Sequence, residues 1–139
     1  MFVGEYRHSI DEKNRIFIPS RLRSELGERF MLTKGFDRCL FVFPMLKWEE
    51  FAAKITALPM VKNRRERLYF FSNASECTLD SQGRVTVPPL LCEFAGFVKD
   101  ITVVGNNDRI ELWSGEIWNE EADGQDPAVI AGALIEAGL

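Results

Sequence analysis

Histidine is almost missing from this 139-residue chain, which holds only His8, and its three cysteines, Cys39, Cys77 and Cys92, lie far apart with no C-x-x-C pair. A structural zinc site therefore lacks its ligands, and no disulfide framework is implied. No apolar run approaches the about 20 residues of a membrane span. The opening MFVGEYRHSIDEKNR carries acids early and has no signal-peptide core, so a reduced, cytosolic protein is expected. There is no Gly-rich phosphate loop, no G-x-S-x-G, no H-E-x-x-H and no second histidine to serve a nucleophile. The expectation is a protein that is not an enzyme, with no catalytic residue, no metal, no cofactor and no small-molecule substrate.

Basic residues are absent from the last 30 positions. Residues 1–109 hold all 17 Lys and Arg against 14 acids, whereas residues 110–139 hold 7 acids and no base. The net charge of −4 thus averages a mildly basic body with an acidic tail, and does not by itself exclude a nucleic-acid partner.

What the chain does have is an internal repeat. Asp11-Glu-Lys-Asn-Arg15-Ile-Phe-Ile-Pro19 lines up with Asp80-Ser-Gln-Gly-Arg84-Val-Thr-Val-Pro88 at an offset of 69 residues. The match continues through Leu22 and Leu91, Gly27 and Gly96, Asp37-Arg38 and Asp108-Arg109, and Trp48 and Trp118. Ile16-Phe-Ile18 and Val85-Thr-Val87 are β-branched runs that read as strands entered through a tight turn. Asn14 and Gly83 stand just before each arginine and are the residues that best tolerate a left-handed backbone. Pro19 and Pro88 end the strand and open a short helix closed by Gly27 or Gly96. Each unit reads strand, turn, strand, short helix, strand, turn, strand. A unit this small buries little alone, so the two are expected to share one core as a pseudo-twofold β-barrel.

Between the units, Trp48, Phe51, Ala52, Ile55 and Leu58 fall at helical spacing and predict an amphipathic helix, with residues 47–73 a helical connection. Arg64, Arg65 and Arg67 read as a solvated face of it. Residues 119–127 read as a solvated linker and Ala128 to Leu139 as a weak terminal helix. The expected layout is residues 5–47 and 76–119 as repeats, 48–75 as connection and 120–139 as acidic tail.

The duplicated Asp-x-x-x-Arg turn is the most specific feature, and two readings stand beside each other. In one, Asp11 and Asp80 bond their own turns while Arg15 and Arg84 pair back, a local brace. In the other, Asp11, Asn14, Asp80 and Gly83 shape the turns while Arg15 and Arg84 project, with Lys13 and Gln82, as polar fingers. An arginine can bond guanine O6 and N7 together, and Lys13, Arg7 and Arg21 are placed for phosphates. His8 is expected to pack or hydrogen-bond at the surface, and Cys39 to act as a small core hydrophobe.

DEKNRIFIP and DSQGRVTVPP, with LRSELG, CEFAG and the two Asp-Arg stretches, resemble the bacterial MraZ family over residues 1 to 118. The resemblance implies tandem SpoVT-AbrB domains: an α+β, mainly β fold with short helices, in which both repeats form a swapped-hairpin AbrB-like barrel. It also implies a ring-shaped homo-oligomer and a regulator that binds short direct DNA repeats upstream of its own operon, the division and cell-wall gene cluster, and represses it. The family's motif falls on Asp11 and Arg15 and on Asp80 and Arg84, with the first turn as the main base reader. Cys92 stands where the helix of the first unit has Arg23. Double-stranded DNA and further copies of the chain are the implied partners, with no membrane, in the cytoplasm at the nucleoid. The alternative is an antitoxin-like oligomer that grips a protein.

Overall fold

The computed structural model describes residues 1–139. The first repeat contains β1 (Glu5–Ser9), β2 (Arg15–Phe17), α1 (Ser20–Leu26), β3 (Arg29–Lys34) and β4 (Cys39–Pro44). The connection is α2 (Met45–Thr56) and α3 (Met60–Phe71). The second repeat contains β5 (Ser75–Thr78), β6 (Arg84–Thr86), α4 (Pro89–Ala95), β7 (Asp100–Asn106) and β8 (Arg109–Ser114), followed by α5 (Gly115–Asp123) and α6 (Pro127–Glu136).

The repeats exchange their leading hairpins. Six strands form an antiparallel sheet in the order β1-β7-β8-β4-β3-β5, so β1 of the first repeat pairs with β7 of the second while β5 of the second pairs with β3 of the first. The remaining strands, β2 and β6, pair with each other as a separate two-stranded ribbon. Ile16 faces Val85 in that ribbon, and the two occupy equivalent places in the repeats, so the pseudo-twofold axis runs through this pair.

The α+β class and the interleaved repeats are as expected, but the barrel does not close. β1 and β5 end the sheet on opposite sides as edge strands. The strands that would close it are only three residues long. Soon after each comes Pro19 or Pro88, which has no backbone N–H for a ladder. The ribbon lies over one face of the open sheet instead.

Both faces of the central strands are covered, which is why β4 reads as the continuous apolar run Cys39-Leu-Phe-Val-Phe43 rather than alternating. Leu40 and Val42 join Ile16, Ile18, Val85, Val87, Leu22 and Leu91 in the larger core under the ribbon. Cys39, Phe41, Phe43 and Trp113 face the other way, beneath Trp48, Phe51, Ile117 and Trp118. Trp48 and Trp118 are matching anchors, 6.0 Å from Phe43 and 5.3 Å from Trp113 between ring centroids.

Inside this second layer, Glu111 is a buried carboxylate with a full set of donors. Its Oε1 accepts from Trp113 Nε1 at 3.0 Å, and its Oε2 from Asn106 Nδ2 at 2.8 Å and Arg109 Nε at 3.0 Å. Arg109 in turn lies 4.3 Å from the centre of the Phe41 ring.

The helical connection is two helices, with a kink at Asn63 (φ −123°, ψ 22°) whose Nδ2 donates to Ile55 O at 2.7 Å. The expected linker after Trp118 is corrected: α5 continues to Asp123, because Ile117 and Trp118 pin it to the sheet and Glu120, Glu121 and Ala122 are good helix formers. Only Gly124–Asp126 interrupt it. α6 then starts with Pro127, and Asp126 caps it by accepting from Ala128 N at 3.0 Å. No residue of α6 is buried.

Candidate nucleic-acid interface

The ribbon turns one side to the core and one to solvent. Ile16 and Val85 are 0% exposed, so the strand alternation puts Arg15, Phe17, Arg84 and Thr86 together on the outer side. Arg15 is opposite Thr86 and Arg84 opposite Phe17, which makes the two arginines diagonal neighbours across the axis.

Each turn is built by its aspartate. Asp11 Oδ1 accepts from the backbone N–H groups of Lys13 and Arg15, both at 2.9 Å, and its Oδ2 accepts from Arg15 Nε at 2.7 Å. Asp80 repeats the pattern, with Gln82 N at 3.0 Å, Arg84 N at 2.8 Å and Arg84 Nε at 2.8 Å. Asn14 (φ 60°) and Gly83 (φ 81°) supply the left-handed residue that reverses the chain. The turns also brace one another: Val87 N donates to Asn14 O at 2.8 Å and Ile18 N to Gly83 O at 2.9 Å.

These contacts set the electrostatics. The N–H of Arg15 is the chief reason the Asp11 carboxyl lies below its ordinary value, joined by the Arg15 side chain and the N–H of Lys13. Asp80 is lowered in the same way by Arg84 and Gln82. Both aspartates stay ionised at neutral pH and hold their arginines by Nε alone. The Nη nitrogens of Arg15 make no hydrogen bond, and Arg84 Nη1 only approaches Asp11 Oδ2, at 4.0 Å. Brace and projecting finger are thus compatible: the carboxylate orients the guanidinium by one edge and leaves its terminal nitrogens free.

Lys13 and Gln82 are exposed at the tips of the two turns, and Arg21 is exposed in the first turn of α1, with neither Lys13 nor Arg21 in an ion pair. Arg7 is elsewhere: it lies in β1 opposite Thr102, in a shallow polar hollow with Asp100, Thr102, Glu116 and Asn119. His8 stacks on Phe17, with ring centroids 6.0 Å apart.

Arg23 is the residue that sequence reasoning left out of the site. Its Nε donates to Ile18 O at 2.7 Å and its guanidinium lies 5.7 Å from the Phe17 ring centre, against the turn of the opposite repeat. Cys92, its counterpart, places Sγ 3.7 Å from Val87 O in the equivalent position and carries no charge outward. The mismatch between Arg23 and Cys92 is visible in the aligned repeats; that the swap lays α1 against the second turn is not.

The thiols offer no reactive group. Burial pushes Cys39 up to about 12, with Glu111 adding to it, and burial pushes Cys77 up to about 11. No cluster of three or more His, Cys, Asp or Glu is arranged to hold a metal ion, and no helix is long and apolar enough to cross a membrane.

The family model described as "MraZ protein, putative antitoxin-like" matches residues 1–69 and again 70–126, one match for each turn. The chain is 44% identical to the transcriptional regulator MraZ of Halothermothrix orenii over the full length of both proteins. It is 48% identical to that of Carboxydothermus hydrogenoformans over 92% of this chain and 91% of the relative. It is 45% identical to that of Clostridium acetobutylicum, again over the full length of both. These relatives bear the name of a regulator, not of an enzyme, and the chain belongs to the MraZ family of transcriptional regulators.

Proposed function

We propose that this protein is a sequence-specific DNA-binding regulator that reads short direct repeats in a promoter with the outer face of the β2–β6 ribbon. Arg15 and Arg84 contact base edges, Lys13, Gln82 and Arg21 contact the backbone around them, and Asp11, Asn14, Asp80 and Gly83 hold the turns. Arg23 adds a positive charge beside the second turn. Arg7, in its separate hollow, is assigned a phosphate only where the duplex runs along β1. The supporting observation is the pair of arginines on the outer ribbon face, each oriented through Nε with its Nη nitrogens free of hydrogen bonds.

Residues 5–47 and 76–119 act as one reading unit joined by 48–75, with 120–139 appended. One such unit has a weakly basic body and holds a duplex loosely. Linking units so that neighbours engage successive sites raises overall affinity by roughly 10²–10⁴ over one module, which fits a ring-shaped homo-oligomer on repeated sites. The expected target is the promoter of the protein's own operon in the division and cell-wall gene cluster, with repression as the outcome, at the nucleoid in the cytoplasm.

The test is retardation of a duplex carrying the upstream repeats. Arg15→Ala is expected to abolish it while leaving oligomer size and far-UV circular dichroism unchanged; undiminished binding overturns the base-reading role. A second reading, an antitoxin-like oligomer that grips a protein, has in its favour the antitoxin-like description of the matching family. Recovery of one stoichiometric foreign protein and no DNA in a nuclease-free pull-down would support that reading instead.

A further inference from the structure

α6 has no place on the protomer that carries it. Val129, Ile130, Leu134 and Ile135 are all exposed along its 10 residues, and none of its residues is buried. A helix this short is marginal in water without a packed face. Its surroundings are purely acidic: Glu116, Glu120, Glu121, Asp123, Asp126 and Glu136 lie along α5 and α6, with no base among residues 110–139 and no ion pair to any of the six. An acidic apolar helix is repelled by anionic lipid and by DNA, and suits a basic apolar protein surface.

The chain itself carries one. Where α2 meets α3, Leu58, Met60 and Val61 stand exposed, Val61 to 97%. Around them Lys54, Lys62, Arg64 and Arg65 are exposed and make no ion pair within the protomer. Neither surface has a partner in the protomer, and they match in both hydrophobicity and charge.

We propose that α6 of one copy docks, with the acidic end of α5, on the basic α2–α3 corner of a second copy. Two different patches meeting in this way form a head-to-tail contact, which propagates until a ring closes. The inference rests on the self-association proposed above but not on DNA binding. It also gives the basic cluster Arg64–Arg65 a protein partner rather than a phosphate.

The full-length chain and its variants would be compared by sedimentation velocity over a concentration series, with retardation of the repeat duplex measured alongside. Ile130→Glu with Leu134→Glu alters residues that bury nothing in the protomer, so the fold should persist by circular dichroism while the concentration for half-assembly rises by roughly tenfold or more, as for loss of a central apolar anchor. Arg64→Glu with Arg65→Glu, and Glu120→Lys with Glu121→Lys, should each weaken assembly alone and co-assemble when mixed in equal amounts, since each then presents the charge the other needs.

An Ile130→Glu, Leu134→Glu variant that assembles like the parent overturns the inference and leaves self-association standing. A parent chain that stays monomeric overturns both. Carbodiimide cross-links between α5–α6 and the corner that form only within light or only within heavy chains, in a mixture of isotope-labelled and unlabelled protein, place the tail on its own protomer and also overturn it. So does an Arg64→Glu, Arg65→Glu variant that assembles normally but no longer retards DNA, because the corner then faces the duplex.

Discussion

The guanidinium of Arg23 occupies the space that a side chain on Gly83 would need: a Cβ built there would lie 2.1 Å from Arg23 Cζ. Gly83 also has φ +81°, so two separate demands meet at this one position. Gly83→Ala should cost about 1 kcal/mol through the left-handed backbone, with the steric conflict relieved by Arg23 swinging away from Phe17. Asn14→Gly, at the equivalent place in the first turn, should leave stability within about 0.5 kcal/mol of the parent, because glycine accepts that backbone and no guanidinium lies against it. Urea unfolding of the two variants, with duplex retardation, checks this; a Gly83→Ala loss well above about 1 kcal/mol would show that Arg23 does not swing aside, and no loss at all would show that the left-handed backbone carries no penalty at this position.

Asp11 and Asp80 each have a folded-state pKa below the unfolded value of about 3.9. A carboxylate lowered on folding contributes stability that is fully present above the unfolded value and is lost as pH falls through the folded one. The turns should therefore hold above about pH 4 and loosen below it. Urea midpoints measured on a descending pH series should drop in that range, and Asp11→Asn with Asp80→Asn should flatten the drop. A double variant with the parent's full acid sensitivity would place the titration elsewhere.

How much of this was legible beforehand differs from element to element. The turns were, because Asp, a left-handed residue and Arg at fixed spacing describe a local hydrogen-bonded loop, and the bonds that Asp11 accepts run within five residues. The strands and short helices of both repeats were legible for the same reason. Which strand pairs with which is carried by the family resemblance and not by the residue pattern: the alternation in β1 says one side is wet, but it fits an edge beside β7 as well as beside its own repeat. The contact of Arg23 with the second turn depends on how the exchange seats α1 against the opposite repeat, which neither the pattern nor the resemblance specifies. The length of α5 is hidden in the sequence because Asn119, Glu120 and Glu121 are polar enough for a linker, while the packing of Trp118 on Trp113 holds them helical.

Glu111 is buried and accepts from Trp113, Asn106 and Arg109, so its removal should cost far more than that of a surface acid. Glu111→Leu leaves the Trp113 N–H and the Asn106 amide without their acceptor and leaves Arg109 only Asp108, and about 3 kcal/mol of stability should be lost, the lower end for breaking a buried pair because Arg109 keeps that second partner and some access to solvent. Glu111→Gln keeps one acceptor and should lose roughly half as much. Chemical denaturation at neutral pH measures both, and a Leu variant as stable as the parent would mean that apolar packing replaces the network without loss.

Cys39 and Cys77, raised to about 12 and about 11, should resist alkylation in the folded protein at mildly alkaline pH, since the thiolate is the reacting species. Mass spectrometry after iodoacetamide treatment should find both unmodified under native conditions and fully modified in denaturant. Rapid native labelling of Cys39 would show that the layer between the sheet and α2 opens far more readily than its packed aromatic rings imply.

Lys13 and Arg15 are two residues apart but should report different things when removed. Lys13 is exposed at the tip of the turn and bonds to Asp11 only through its backbone, so as a phosphate contact it carries charge without base information. Lys13→Ala should weaken binding to operator and random duplex alike, and reduce the log–log salt slope by about 0.9 for the phosphate lost. Arg15, held by Asp11 with its terminal nitrogens free, should instead carry discrimination: Arg15→Ala should cost roughly 1–3 kcal/mol per contacted base pair on operator and much less on random sequence. Fluorescence anisotropy across a salt series, with both duplexes, separates the two. If Lys13→Ala leaves the slope unchanged, Lys13 does not meet a phosphate; if Arg15→Ala weakens both duplexes equally, Arg15 neutralises charge rather than reading bases, and sequence selection must come from Arg84 or from the shape of the DNA.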